Sequence, residues 1–270
     1  MRLWLAILIF ACGGFSAFAQ NEKAVEIQSR GQKFRALLIQ PANPIGSVIL
    51  MAGGHGKLDI SASGHIGWGA KNQLVRTRAA YAKAGYAVLV PDIAPDMKTP
   101  SGVMQGYRAS DAFAQDLAAA VQYMRKIKNP VVMAGTSRGS LSVANALFHI
   151  KDKAARPDAA VLTSAFLAPP PPKGFTVRKL VHDKADAFAL PTLVVHHRKD
   201  GCEHTKPSDV EPFKTWYEKN GRKLDVIWME GGLPPKSDAC NALSPHGFYG
   251  LDNEVTGKIT GWIKAQSLPQ

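Results

Sequence analysis

Three shortages bound what this chain of 270 residues can be. Acidic residues are scarce, 21 Asp and Glu against 33 Lys and Arg, which leaves a net charge of +12. Charge of that sign steers anions or keeps a protein soluble. What is missing is a dense Lys/Arg run interleaved with aromatics, so a nucleic-acid surface is disfavoured. Long apolar runs are also missing: past the first twenty residues no stretch could cross a membrane as a helix. Cysteine is the third shortage, with three in all. Although His196, His197 and His204 lie close in sequence, no consistent ligand spacing supports a metal site. No G-x-x-x-x-G-K-[ST] is present, which excludes a P-loop. There is no internal repeat and no linker, so residues 20–270 are expected to form one domain.

The N-terminus, MRLWLAILIFACGGFSAFAQ, places Arg2 before an apolar run from Leu3 to Ala11. Ala17-Phe18-Ala19 follows, a small-x-small cleavage pattern. Residues 1–19 therefore read as a secretory signal peptide, and the mature chain as periplasmic or secreted. Ile9-Phe10-Ala11-Cys12 loosely resembles a lipoprotein processing site, but Phe10 is bulky and Cys12 comes early. Cys12 leaves with the leader. Cys202 and Cys240 remain, an even pair in an exported chain, and a bridge between them is expected.

Pattern and punctuation give the order of elements. Short strands over 24–28 and 33–39 flank a turn at Ser29–Gln32. Apolar runs at 47–51, 86–90, 131–134, 159–164, 192–197 and 223–229 have strand length. Helical patterns cover 72–84, 107–127, 139–150, 208–219 and 252–266. Apolar strands alternating with helices predict an α/β fold: a parallel sheet covered on both faces, with the opening hairpin adding antiparallel strands at one edge. Residues 166–190 form an irregular insert whose Pro169–Pro172 run reads as a flap over the strand ends or as an ordinary surface loop.

The stretch that carries chemistry is Gly135-Thr136-Ser137-Arg138-Gly139, between a strand and a helix. A serine hydroxyl is a poor nucleophile without a base, a group to orient that base, and donors for an oxyanion. Two glycines at this spacing suit the strained turn that lifts a serine above a sheet. The acid should follow at the end of a later strand, where Asp200 stands; the other reading of Asp200-Gly201 is a plain turn. Asp92 and Asp96 precede the serine and sit in the wrong place, and Asp238 is a weaker alternative. The base should lie in the loop after the last strand, and the only histidine in residues 230–250 is His246. A Cys202–Cys240 bridge would tie the acid loop to the histidine loop. Gly53-Gly54-His55-Gly56 follows the strand ending at Met51. The backbone N–H of Gly54 or His55, paired with that of Arg138, would receive the oxyanion. A plain flexible turn is the competing reading.

On GTSRG, Asp200, His246 and the glycine turn at 53–56, nearly the whole mature chain resembles the α/β-hydrolase superfamily. The resemblance implies an eight-stranded, mostly parallel sheet with helices on both faces and the site at the strand ends. The small size and little or no cap are similar to the dienelactone-hydrolase-like and peptidase-like esterase groups. Many members carry His-Gly at the oxyanion turn, where this chain has Ala52-Gly53, with the histidine arriving at His55. The expected function is a serine hydrolase of carboxylic esters, with Ser137 as nucleophile, His246 as base and Asp200 orienting it, and with no metal or cofactor. An acyltransferase or peptidase using the same three residues, or a binding protein on the same scaffold, are the alternatives. Arg138 reads as a contact to an anionic substrate group or as half of a structural ion pair. His55, Lys57, Asp59 and His65 are candidates for lining the pocket.

Overall fold

The computed structural model describes residues 22–100, 102–169, 175–181 and 190–269. The leader expected at 1–19, Cys12 within it, and Pro170–Pro172 of the insert lie outside the described residues. Eight strands form the main sheet: β1 (Glu22–Ser29), β2 (Gln32–Ile39), β3 (Gly46–Met51), β4 (Tyr86–Pro91), β7 (Val131–Thr136), β8 (Ala159–Thr163), β9 (Thr192–His197) and β10 (Leu224–Met229). Two two-residue strands, β5 (Lys98–Thr99) and β6 (Gly102–Val103), pair with each other as a separate ribbon that the sequence pattern did not announce.

The spatial order is β1-β2-β4-β3-β7-β8-β9-β10. β1 with β2 and β2 with β4 are antiparallel, and every other pairing is parallel. The opening hairpin thus sits at one edge, as expected. Successive residues of the central strands serve opposite cores. Ile49 and Met51 join the layer beneath α3 (Asp111–Arg125), α4 (Gly139–His149) and α6 (Val210–Lys219). Val48 and Leu50 join the layer beneath α1 (Gln73–Arg76), α2 (Arg78–Lys83) and α7 (Asp252–Ala265). A strand buried on both faces has no polar side to show, which is why these runs are continuously apolar. Each fully buried aliphatic side chain contributes about 1.5–3 kcal/mol.

Local signals set the helix ends. Ser110 caps α3, its Oγ accepting from the Phe113 N–H at 3.2 Å. The expected helix over 107–127 is therefore two pieces: Tyr107–Ala109 form a separate 3-10 turn after Gly106, whose φ is 72°. The expected helix over 72–84 breaks at Thr77, which is the C-cap of α1 and the N-cap of α2. From the insert, α5 (Val177–Val181) is described, and Val177 and Leu180 are buried in the layer that holds α4. Among the described residues no helix is long and apolar enough to cross a membrane.

Register brings the functional ends together. Met51 pairs with Gly135, Thr136 with Thr163, Thr163 with Val195, and His197 with Met229. The C-terminal ends of five parallel strands therefore form one rim, the usual place for a site in such sheets.

Candidate active site

Ser137 stands one residue past β7 with φ 52°, a conformation uncommon outside glycine. The flanking glycines make the turn possible. A Cβ on Gly135 would overlap the carbonyl of Gly139, and a Cβ on Gly139 would overlap the carbonyl of Met51. The turn is locked by the Ser137 N–H donating to the Thr163 carbonyl at 2.9 Å. The Ser140 hydroxyl donates to the Ser137 carbonyl at 2.6 Å.

Asp200, three residues past β9, is buried. Its Oδ1 accepts from the Cys202 N–H at 2.9 Å. Its Oδ2 accepts from the Thr205 hydroxyl at 3.1 Å and from His246 Nδ1 at 2.9 Å. A carboxylate only accepts, so Nδ1 is the donor in this contact and Nε2 is the nitrogen turned from Asp200. Asp238 is exposed, and its carboxylate accepts a long 3.5 Å contact from the Asn241 side chain. Asp92 is engaged elsewhere, accepting from the N–H groups of Leu58, Ile60 and Ile93 and from Lys98.

His246 lies in a 3-10 turn, Pro245–Gly247, with Ser244 as its cap. The Ser164 hydroxyl donates to its carbonyl at 2.7 Å. Arg76, on α1, donates to the carbonyls of Gly247 (2.6 Å) and Ala242 (3.1 Å) and pairs with Asp252 at 2.7 Å. The Cys202–Cys240 disulfide, with Cα atoms 4.5 Å apart, joins the acid loop to this loop. Ser137 and His246 share the lining of a cavity of about 40 Å³ with Gly54, Gln73 and Cys240.

The glycine turn is held from one side. Arg108 donates to the carbonyls of Ala52 (2.9 Å) and Gly54 (3.3 Å) and to the Ser142 hydroxyl of α4. The Tyr107 hydroxyl donates to the His55 carbonyl at 2.7 Å. N–H opposes C=O across a trans peptide, so these bonds turn the N–H groups of Gly53, His55 and Gly56 away from Arg108 and Tyr107. Among the described residues, the N–H groups of Gly54, His55 and Arg138 have no acceptor. The His55 ring stacks on Trp68 with centroids 3.6 Å apart. Burial first, then the charges of Lys57, Arg108 and Arg138, holds His55 below the ordinary histidine range.

A groove of about 720 Å³ opens beside the serine turn, lined by Gly54, His55, Tyr107, Arg108 and Arg138 together with Phe166 and Phe175 of the insert. Ser137 itself lines the smaller cavity; Gly54 belongs to both spaces. The insert is therefore a wall of the groove. Of the other candidates, only His55 reaches it: Lys57 and Asp59 pair with each other at 3.6 Å, and His65 is exposed. His196 and His197 are buried, with His196 Nε2 donating to the Thr205 carbonyl at 2.9 Å. Among the described residues no three His, Cys, Asp or Glu side chains gather as a metal ion would require.

Thr205, Arg76, Tyr107 and Arg108 were not singled out from the sequence. Only the Ser110-Asp111 cap signal could have separated the Tyr107–Arg108 turn from the helix that follows it.

No protein-family model and no curated protein sequence matches the chain. Solved structures do. Est1E from Butyrivibrio proteoclasticus is 18% identical with a TM-score of 0.57, over 90% of this chain and 98% of its own. The dienelactone hydrolase of Anabaena variabilis is 15% identical with a TM-score of 0.61, over 91% and 97%. Carboxyl esterase 2 of Tuber melanosporum is 17% identical with a TM-score of 0.57, over 92% and 89%. With its strand order, these likenesses establish that the chain has the α/β-hydrolase fold.

Proposed function

We propose that the chain is an exported serine hydrolase acting on carboxylic esters through an acyl-enzyme. The observation that carries the reading is a strained Ser137 sharing one small cavity with a His246 whose Nδ1 is fixed on buried Asp200. Ser137 Oγ attacks the ester carbonyl while its proton passes to His246 Nε2. Asp200 stabilises the imidazolium that forms. The oxyanion is received by the N–H groups of Arg138 and of Gly54 or His55. Collapse breaks the bond to the alcohol, which leaves with the proton from His246. Water, deprotonated by the same nitrogen, then releases the acid and regenerates Ser137. The esterase and dienelactone hydrolase neighbours support this class of reaction. The disulfide supports export, with residues 20–270 as the mature domain.

Fluorophosphonate labelling of the purified mature protein, followed by peptide mass spectrometry, tests the reading. The expected result is an adduct on Ser137 that heat denaturation or Ser137→Ala prevents. A folded protein that takes no label overturns it.

A further inference from the structure

Arg108 is a buried charge. It is 6% exposed, its Nε has no hydrogen-bond partner, its hydrogen bonds go to carbonyls and a hydroxyl, and its Cζ lies 5.2 Å from the centre of the Tyr107 ring. Burial pushes its affinity for a proton down, and the nearby positive Arg138 pushes the same way. A buried cation is ordinarily paired with an acid, yet among the described residues neither Arg108 nor Arg138 has a carboxylate partner. The structural ion pair weighed for Arg138 is therefore not formed. Both residues line one groove beside the serine turn. The acid on that lining, Glu203, is exposed and sits 3.7 Å from His204.

The chemistry decides which part of an ester enters the groove. His246 must return its proton to the leaving oxygen, so the alcohol departs on the His246 side. The cavity that His246 lines with Ser137 holds about 40 Å³, while the groove beside the turn holds about 720 Å³. The groove is the space with room for a long acyl chain, and Tyr107, Leu141, Phe166 and Phe175 line it together with the two arginines. We propose that the enzyme prefers esters whose acyl chain ends in a carboxylate, which the paired guanidinium charges of Arg108 and Arg138 hold. The inference rests on the hydrolase reading above and specifies its substrate class.

The test compares 4-nitrophenyl hydrogen glutarate with its methyl-capped analogue, and 4-acetoxybenzoate with its methyl ester, in wild type and Arg138→Glu. A control reversal, Lys258→Glu on α7, lies on the opposite face of the sheet. Only the ratio of kcat/KM within each pair is read, so effects common to both substrates cancel. The acid-terminated glutarate should be preferred about tenfold, with Arg138→Glu abolishing the preference and Lys258→Glu retaining it. Equal rates within the glutarate pair, a preference confined to the acetoxybenzoate pair, or a preference that survives Arg138→Glu would each overturn the proposal. Labelling of Ser137 in the same preparations separates this failure from failure of the hydrolase reading. A thermal shift by monomethyl glutarate, absent in Arg138→Glu, tests the site without turnover. No shift in the wild-type protein counts against it.

Discussion

Removing the disulfide separates what holds the fold from what holds the site. Cys202 and Cys240 are 38 residues apart. Closing a loop of that length removes denatured-state entropy worth about 4 kcal/mol in the chain-entropy model. For a protein of this size about 1 kcal/mol shifts Tm by 2–4 °C. The Cys202→Ser/Cys240→Ser double variant should therefore melt about 10 °C lower yet stay folded at 25 °C. Activity should suffer where the fold does not. Cys202 donates to Asp200, and Cys240 borders the cavity that holds Ser137 and His246. Loosening the two loops relative to each other disturbs a 2.9 Å hydrogen bond that sets the imidazole tautomer. A fall in kcat of about tenfold corresponds to about 1.4 kcal/mol of lost transition-state alignment. The assay is kcat and KM for a short 4-nitrophenyl ester at 25 °C, beside far-UV circular dichroism and a thiol count. Unchanged kcat in a protein with two demonstrably free thiols would refute the reasoning. So would a parallel loss of helix signal, because the bridge would then be holding the sheet and not the site.

Three further outcomes follow from the same contacts. Gly139→Ala drives a methyl group into the Met51 carbonyl; it should cost about 1–3 kcal/mol in urea unfolding and end Ser137 labelling, and wild-type labelling would contradict the close packing of the turn. Thr205→Val removes a buried donor to the Asp200 carboxylate, so stability should fall by about 1.5–3 kcal/mol and kcat should drop with KM little changed. Thr205→Ser should restore both, and failure of that rescue would argue for a packing role. Burial holds His196 below its ordinary value of about 6.5. The unfolded chain then binds a proton that the native protein refuses, so stability falls as pH drops below about 6.5 and continues to fall toward the depressed native value. The urea midpoint should decline from pH 7.5 to 5.5, with a shallower slope in His196→Gln, and identical slopes would remove His196 from the account.

The strands and the order of serine, aspartate and histidine were legible because each leaves a local mark. An apolar run of strand length, two glycines spaced by three residues, and a lone histidine after the last strand can all be read without tertiary knowledge. Tyr107 and Arg108 could not be read this way. They lie in a stretch whose alanine-rich pattern continues into α3, and only the Ser110 cap divides it. Except for the Ser142 hydroxyl, the hydrogen-bond partners of their side chains are backbone carbonyls more than fifty residues upstream, which leave no trace in side-chain pattern. Thr205 was hidden for a similar reason: nothing local distinguishes a threonine that caps a turn from one that donates to a buried carboxylate. The break at Thr77 was also missed, because helical periodicity is blind to a single residue that ends one helix and begins the next.

The distribution of these unread contacts follows from the sheet. Ladder hydrogen bonds fix the backbone only as far as the strand extends. Ser137 stands one residue beyond β7, and close glycine packing with two hydrogen bonds is enough to place it. The glycine turn begins two residues past β3 and needs Tyr107 and Arg108. Asp200, three residues past β9, takes the Cys202 N–H and the Thr205 hydroxyl. His246 stands seventeen residues past Met229, the end of β10, and it carries the most ties: Ser164, the Arg76 clasp on its loop, the Ser244 cap and the disulfide. A site must hold its groups to within about 0.5 Å, and the loop that stands farthest from the ladder carries the most locks. On that logic the histidine loop is the part of the site most exposed to substitution far from the chemistry, and Arg76, which touches neither Ser137 nor Asp200, is the residue through which that sensitivity enters.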